Sequence, residues 1–165
     1  MQTNISNFII KDYFAYRNRY KTNPLFNINF WSVIVYRLSS LFNNKLKIVA
    51  KLLWLINRIL FGIDIDHGFK INGSFMIIHG NGIVIGKSVF CNGNLIVYQN
   101  VTLGGNNHKT QLIKNTILID QPYFEGGNIV GPGAVVLGPC YIGVNSTIGA
   151  NTITTKNIGS NYIKK

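Results

Sequence analysis

One histidine of the chain has the residue type and the surroundings of a general base. His79 follows an apolar run and precedes Gly80, and Asp64 lies fifteen residues upstream of it. A neutral imidazole can take a proton from a hydroxyl group near neutral pH. On the residues alone two simpler interpretations stay open: His79 as a surface histidine, and Asp64 as a carboxylate that caps a turn.

The segment that must position these residues repeats with a period of six. Aliphatic residues begin successive blocks such as VGPGAV, VLGPCY, IGVNST and IGANTI, with small or polar residues between them. Such short units bury a core only by stacking, which predicts a parallel β-solenoid with three strands in each coil of about 18 residues. A two-residue slip interrupts the repeat at Ile83 and Val84. Asp64 and His79 would therefore lie on adjacent coils.

The two cysteines are poor candidates for a nucleophile. Cys91 begins a block and should point inward, and Cys140 occupies a small-residue corner position. Two cysteines also cannot form a disulfide framework, so a reducing compartment fits best.

The first part of the chain differs from the repeat in composition and charge. Residues 1–63 hold nine of the sixteen basic residues but one acid, and residues 30–61 contain no glycine or proline. This predicts helices with a break at Asn43-Asn44, and a boundary between residues 1–63 and 64–165. The apolar stripe of these helices could pack against the rest of the protein, or lie with its basic residues against anionic lipid.

Several classes of protein are disfavoured. Charges interrupt every stretch that could span a membrane, and the start of the chain lacks the pattern of a signal peptide. The aromatic residues of the helices are not interleaved with basic ones, so nucleic acid is a poor partner. No phosphate-binding glycine loop precedes a helix.

The chain resembles the hexapeptide-repeat acyltransferases, which fold as a left-handed parallel β-helix, and among them the serine acetyltransferase branch that includes polysaccharide O-acetyltransferases. The resemblance covers roughly residues 30–158. The segments that carry it are GIDIDHGFKI, HGNGIVIG, VYQNVTLGG, VGPGAVVLG and IGANTITTKNI.

This resemblance implies an enzyme that transfers an acetyl group from acetyl-CoA to a hydroxyl. Because neither cysteine has the setting of a nucleophile, we expect direct transfer without a covalent acyl-enzyme. It implies that His79 is the general base and that Asp64 orients it. The positions that match the acetyl-CoA groove are Gly104, Gly105, Pro132, Ala150 and Lys156. The family also implies a homotrimer with its sites between subunits.

The acceptor is where the chain departs from the serine-specific enzymes. Ile78 stands where they have an aspartate before the histidine, and Asp120-Gln121 stand where they have an arginine and a histidine that help hold the amino acid's carboxylate. The loop 106–121, which includes His108, is long and apolar. We therefore expect a sugar hydroxyl of a bacterial surface polysaccharide as the acceptor, with serine and a non-catalytic scaffold as alternatives.

The remaining expectations concern partners, metals and location. His67, His79 and His108 do not have the spacing of the zinc-binding hexapeptide class, so we expect no metal. The enzyme should be cytoplasmic, with a possible peripheral contact to the inner membrane through its basic N-terminal segment.

Overall fold

The computed structural model describes residues 5–43, 45–114 and 116–165. Its first part is helical, and the helices are α1 (Ile5–Tyr20), a 3-10 helix (Pro24–Phe26), α2 (Ile28–Phe42) and α3 (Lys47–Phe61). The Asn27 side chain caps α2 by accepting hydrogen bonds from the first amides of that helix, and Gly62 ends α3 with a positive φ of 65°. The predicted break falls between α2 and α3, although Asn44 is outside the described residues. Within these ranges, every helix is too short or too polar to cross a membrane.

The rest of the chain winds through three parallel sheets. Sheet 1 contains β1 (Ile63–Ile65), β4 (Ile83–Ile85), β7 (Thr102–Gly105), β12 (Val135–Gly138) and β15 (Ile153–Thr154). Sheet 2 contains β2 (Lys70–Ile71), β5 (Phe90–Cys91), β10 (Tyr123–Phe124) and β13 (Tyr141–Ile142). Sheet 3 contains β3 (Phe75–Ile78), β6 (Leu95–Tyr98), β11 (Asn128–Val130), β14 (Thr147–Ile148) and β16 (Ile163–Lys164).

The strand register follows the sequence repeat. Val135 pairs with Ile153, one 18-residue coil later, whereas Ile63 pairs with Ile83 because the slip adds two residues to that coil. Block-initial residues such as Ile65 point into the core, and the small corner residue Ala134 is completely buried. The mainly β solenoid with helices before it is thus confirmed.

The loop 106–121 leaves the coils between β7 and β10. It forms an antiparallel hairpin of β8 (Gln111–Ile113) and β9 (Ile117–Ile119). Ile113 and Ile119 pack on Tyr123 in a small cluster separate from the main core, which attaches the hairpin to sheet 2.

Side chains of α1 form hydrogen bonds with the backbone groups at the edge of the first coil, where no further strand of the described residues pairs with β3. Asp12 accepts a hydrogen bond from Phe75 N (2.7 Å) and forms a buried ion pair with Arg37. The hydroxyl of Tyr16 accepts from Ile77 N (2.9 Å) and donates to Ile77 O (3.1 Å). A free strand edge in this place would leave backbone groups buried without partners.

Side chains of α2 complete the same edge. Tyr36 donates to Phe69 O (2.9 Å), and Arg37 donates to Ile71 O (3.2 Å) and Gly73 O (2.9 Å). The helices therefore act as the cap that a stack of repeats needs at its end.

The third helix packs through one face only. α3 buries Ala50 and Asn57, whereas Ile48, Ile59 and Leu60 are 78%, 70% and 68% exposed. The apolar stripe predicted for these helices therefore packs against the protein in α2. In α3, part of it remains exposed and forms an apolar outer surface. The division into residues 1–63 and 64–165 stays a prediction, since α1 and α2 share one hydrophobic core with the coils.

Candidate active site

His79 lies in the turn that joins sheet 3 to sheet 1. It follows buried Ile78 at the end of β3, its φ is 55°, and its side chain is exposed. The next amide, Gly80 N, donates to the Asn29 side chain of α2 (3.0 Å). This contact ties the turn to the helical cap and leaves the imidazole accessible to a substrate.

Asp64 lies at the centre of β1 with its side chain on the outer face of sheet 1. Trp54 Nε1 of α3 donates to one carboxylate oxygen (2.8 Å), and Arg58 pairs with the other (3.3 Å). Among the described residues, the Asp64 carboxylate forms its hydrogen bond and its ion pair with these two side chains and not with His79. The pairing of Asp64 with His79 therefore stays a prediction.

The corner where sheet 3 passes into sheet 1 carries three of the predicted site residues, which are His79, Pro132 and Ala150. His79 and Gln99 follow the paired residues Ile78 and Tyr98 on neighbouring coils. The amide after Pro132 donates to Gln99 O (2.9 Å), and the amide after Ala150 donates to Pro132 O (2.8 Å). Since neighbouring strands are about 4.8 Å apart, Pro132 lies roughly 10 Å along the axis from His79.

The glycines predicted to bind acetyl-CoA lie at the opposite end of sheet 1. Gly104 pairs with Leu137 and Gly105 with Gly138, beyond the last residue of β4. Lys156 is exposed two residues after β15, at this same end, and it lines a cavity of about 470 Å³. One chain thus brings His79 together with Pro132 and Ala150, but not with Gly104, Gly105 or Lys156.

The positions that depart from the serine-specific pattern do not gather around His79. Ile78 is 3% exposed and belongs to the core. Gln121 lies near Gly105, and its side-chain oxygen accepts from Ser88 N (3.1 Å), while Asp120 is exposed. His108 is exposed at the start of the hairpin with a φ of 58°.

Neither cysteine is available for chemistry. Cys91 and Cys140 are both fully buried, and burial raises the pKa of each thiol to about 12. A buried neutral thiol is a poor nucleophile near neutral pH. Among the described residues, no group of three His, Cys, Asp or Glu side chains converges on a metal position.

Sequence reasoning missed three residues that support the site. Asn29 holds the turn of His79, and Trp54 and Arg58 hold Asp64. The sequence marked these residues only as parts of helices. Their partners depend on how α2 and α3 dock against the coils.

Sequence comparison finds relatives that match most of this chain, although no model of a known protein family matches it. The chain is 30% identical to serine acetyltransferase of Synechococcus elongatus over 132 residues, and 34% identical to that of Staphylococcus aureus over 130 residues. Both matches cover 79% of this chain, and they cover 51% and 57% of the two relatives. The chain therefore spans about half the length of the curated relatives that it matches.

Solved structures match the fold over nearly the whole chain. Serine acetyltransferase of Neisseria gonorrhoeae in complex with serine has a TM-score of 0.82 at 25% identity, covering 98% of this chain and 66% of that one. A serine acetyltransferase in complex with CoA has a TM-score of 0.81 at 26% identity, covering 96% and 66%. Serine acetyltransferase 1 of Entamoeba histolytica has a TM-score of 0.80 at 29% identity, covering 98% and 62%.

These matches confirm that the β-helix is left-handed, a property that the sequence period alone cannot determine. They also agree with the helical cap and with the hexapeptide coils described above. Over most of its length the chain is similar, in sequence and in fold, to serine acetyltransferases, which are hexapeptide-repeat acyltransferases.

Proposed function

We propose that the protein is an acetyl-CoA-dependent O-acetyltransferase with serine as its acceptor. The observation that carries this proposal is the exposed imidazole of His79, on a corner shared with Pro132 and Ala150, in a chain whose relatives are serine acetyltransferases. A solved relative in complex with CoA supports acetyl-CoA as the co-substrate.

In the proposed mechanism, His79 removes the proton of the acceptor hydroxyl. The resulting alkoxide attacks the thioester carbonyl and forms a C–O bond, and the C–S bond then breaks as the intermediate collapses. The imidazolium returns its proton to the departing thiolate of CoA. The amide of Gly104 or Gly105 from a second copy of the chain would donate to the oxyanion. Direct transfer fits the two buried thiols, neither of which can become an acyl carrier.

The comparisons favour serine over the sugar that we expected from the sequence. The matched relatives are serine acetyltransferases, and one solved neighbour is in complex with serine. A polysaccharide acceptor receives no support from them. The sugar remains the second candidate because buried Ile78 and the Asp120-Gln121 pair replace features that recognise a free amino acid.

The acceptor assignment predicts a kinetic preference. With acetyl-CoA as donor, kcat/KM for L-serine should exceed that for glucose, N-acetylglucosamine and bacterial oligosaccharides, because a site adapted to one acceptor stabilises its transition state selectively. Release of the CoA thiol measures all acceptors in one assay. Efficient acetylation of a sugar with no activity on serine would reverse the order of the two candidates.

We also propose a homotrimer with active sites between subunits. In one chain, His79 and Gly105 lie at opposite ends of sheet 1, so a complete site needs the Gly105 end of a second copy. Light scattering should therefore give about three times the chain mass of 18.5 kDa. A monomer that still acetylates its acceptor would contradict this proposal.

The outer surface of α3 supports the proposed contact with anionic lipid at the inner face of the membrane, for an otherwise cytoplasmic enzyme. Its exposed apolar stripe is flanked by Lys47, Lys51 and Arg58, and α3 contains no acidic residue. Interfacial helices combine these features. We expect the protein to float with vesicles that contain anionic phosphatidylglycerol, and not with vesicles of pure phosphatidylcholine. Equal flotation with both, or with neither, would contradict the electrostatic contact.

A further inference from the structure

A cavity of about 760 Å³ lies away from the His79 corner, where the hairpin faces the first coils. The end of α2, the start of sheet 2 and strand β9 form its walls. Its volume is in the range of sites for small molecules. Among its lining residues, Asp120 occupies a position that bears on the acceptor, and the acetyl-transfer proposal gives the other lining residues no role.

The charge of the cavity is positive. Lys70 and Lys87 line it, and both are exposed; neither forms an ion pair with any residue that the structure describes. Asp120 is the one acidic residue among the lining side chains. Two lysines without carboxylate partners at one cavity favour an anionic ligand.

Polar side chains add hydrogen-bonding groups to the cavity. The hydroxyl of Ser88 and the side-chain amide of Asn43 line it beside the two lysines. A hydroxyl can donate and accept, and an amide group offers both donors and an acceptor. This lining therefore suits an anion that also carries hydroxyl groups.

The surface of sheet 2 next to Lys70 is an apolar wall, because Phe90 is the register neighbour of Lys70 and Tyr123 that of Phe90. Phe90 and Tyr123 stack on each other with ring centroids 5.0 Å apart, and Lys114 lies over the ring of Tyr123. Leu118 of the hairpin, which is 67% exposed, faces the same cavity. A bare inorganic anion would leave this wall unused, whereas the C–H face of a sugar ring could cover it.

We propose that this cavity binds a small sugar that carries an anionic group, with its charge between Lys70 and Lys87 and its ring against Phe90 and Leu118. The site lies on sheet 2, apart from the corner of His79, Pro132 and Ala150. Because the ligand would bridge the coils and the hairpin, binding should also protect the amides of β8 and β9 from hydrogen exchange. The inference does not rest on the acetyl-transfer proposal.

Calorimetric titration tests the site on the intact protein with four probes: glucose 1-phosphate, glucuronate, inorganic phosphate and glucose. We expect at least one of the two sugar anions to bind more tightly than inorganic phosphate, and glucose not to bind. The phosphate and carboxylate sugars distinguish which anionic group fits. The double variant Lys70→Gln/Lys87→Gln should weaken binding of the sugar anion at least about tenfold, because it removes both cations.

A matched double variant, Arg17→Gln/Lys21→Gln, removes the same charge from exposed surfaces outside the cavity and should leave the affinity within about twofold. Leu118→Ser should weaken the sugar anion and leave inorganic phosphate unchanged. Equal weakening by both double variants would overturn the site, as would binding by none of the anions. Inorganic phosphate binding as tightly as both sugar anions would overturn the sugar.

Discussion

The variant His79→Ala is expected to lower the turnover of acetyl-CoA about 10²- to 10⁴-fold. The reason is that no acceptor hydroxyl ionises appreciably near neutral pH without a base. Among the described residues, His79 is the histidine on the corner with Pro132 and Ala150. Steady-state release of the CoA thiol at saturating substrates measures the loss, which should appear in kcat.

His108 provides the matched control. Both histidines are exposed, and both have a positive φ, 55° for His79 and 58° for His108, so alanine meets the same left-handed backbone in each place. The small cost of that backbone should therefore be similar in both variants. We expect His108→Ala to retain turnover within about twofold of the unchanged protein. Equal losses in the two variants, or full activity in His79→Ala, would remove His79 from the mechanism.

The coils were predictable from the sequence because every hexapeptide repeats the same pattern of an inward-pointing residue and a small corner residue. A block-initial residue such as Ile142 must point inward, and a corner residue such as Ala134 must be small, whatever the rest of the chain does. Both requirements recur every six residues, so the sequence shows them directly. The handedness of the coil produces no sequence pattern, and only the resemblance to a known family predicted it.

The surroundings of Asp64 were not predictable in the same way. The sequence placed it within one coil of His79, but its two oxygens contact Trp54 and Arg58 of α3. Those contacts depend on the angle at which α3 meets β1, which no periodicity encodes. Likewise, the loop 106–121 was recognisable as an insertion, whereas its hairpin register follows from packing of Ile113 and Ile119 on Tyr123.

A second large effect is expected at the helical cap, far from any substrate. Arg37 is 5% exposed and Asp12 is completely buried, and their side chains are 2.9 Å apart. Burial raises the pKa of Asp12, and the hydrogen bonds and charge of Arg37 oppose that shift. Asp12→Ala would leave the guanidinium of Arg37 buried without its counter-charge and Phe75 N without its acceptor.

Removing one partner of a buried ion pair costs about 3–5 kcal/mol of unfolding free energy. For a chain of 165 residues, this corresponds to a decrease in Tm of roughly 6–20 °C. Arg37→Ala should be similarly destabilising, because it strips a carboxylate and two backbone carbonyls of their donors. Thermal and urea unfolding of both variants give the values, and Arg17→Ala on the exposed side of α1 should stay within about 0.5 kcal/mol.

The double variant Asp12→Ala/Arg37→Ala distinguishes a coupled pair from two independent contacts. It should be less destabilised than the sum of the single variants by at least about 1 kcal/mol, because neither buried charge is then left alone. It should not regain full stability, since the backbone groups of the first coil still lack their partners. Additive losses would mean that Asp12 and Arg37 stabilise the coil separately. In that case the cap would depend on the individual hydrogen bonds to the strand edge, and the ion pair would contribute nothing of its own.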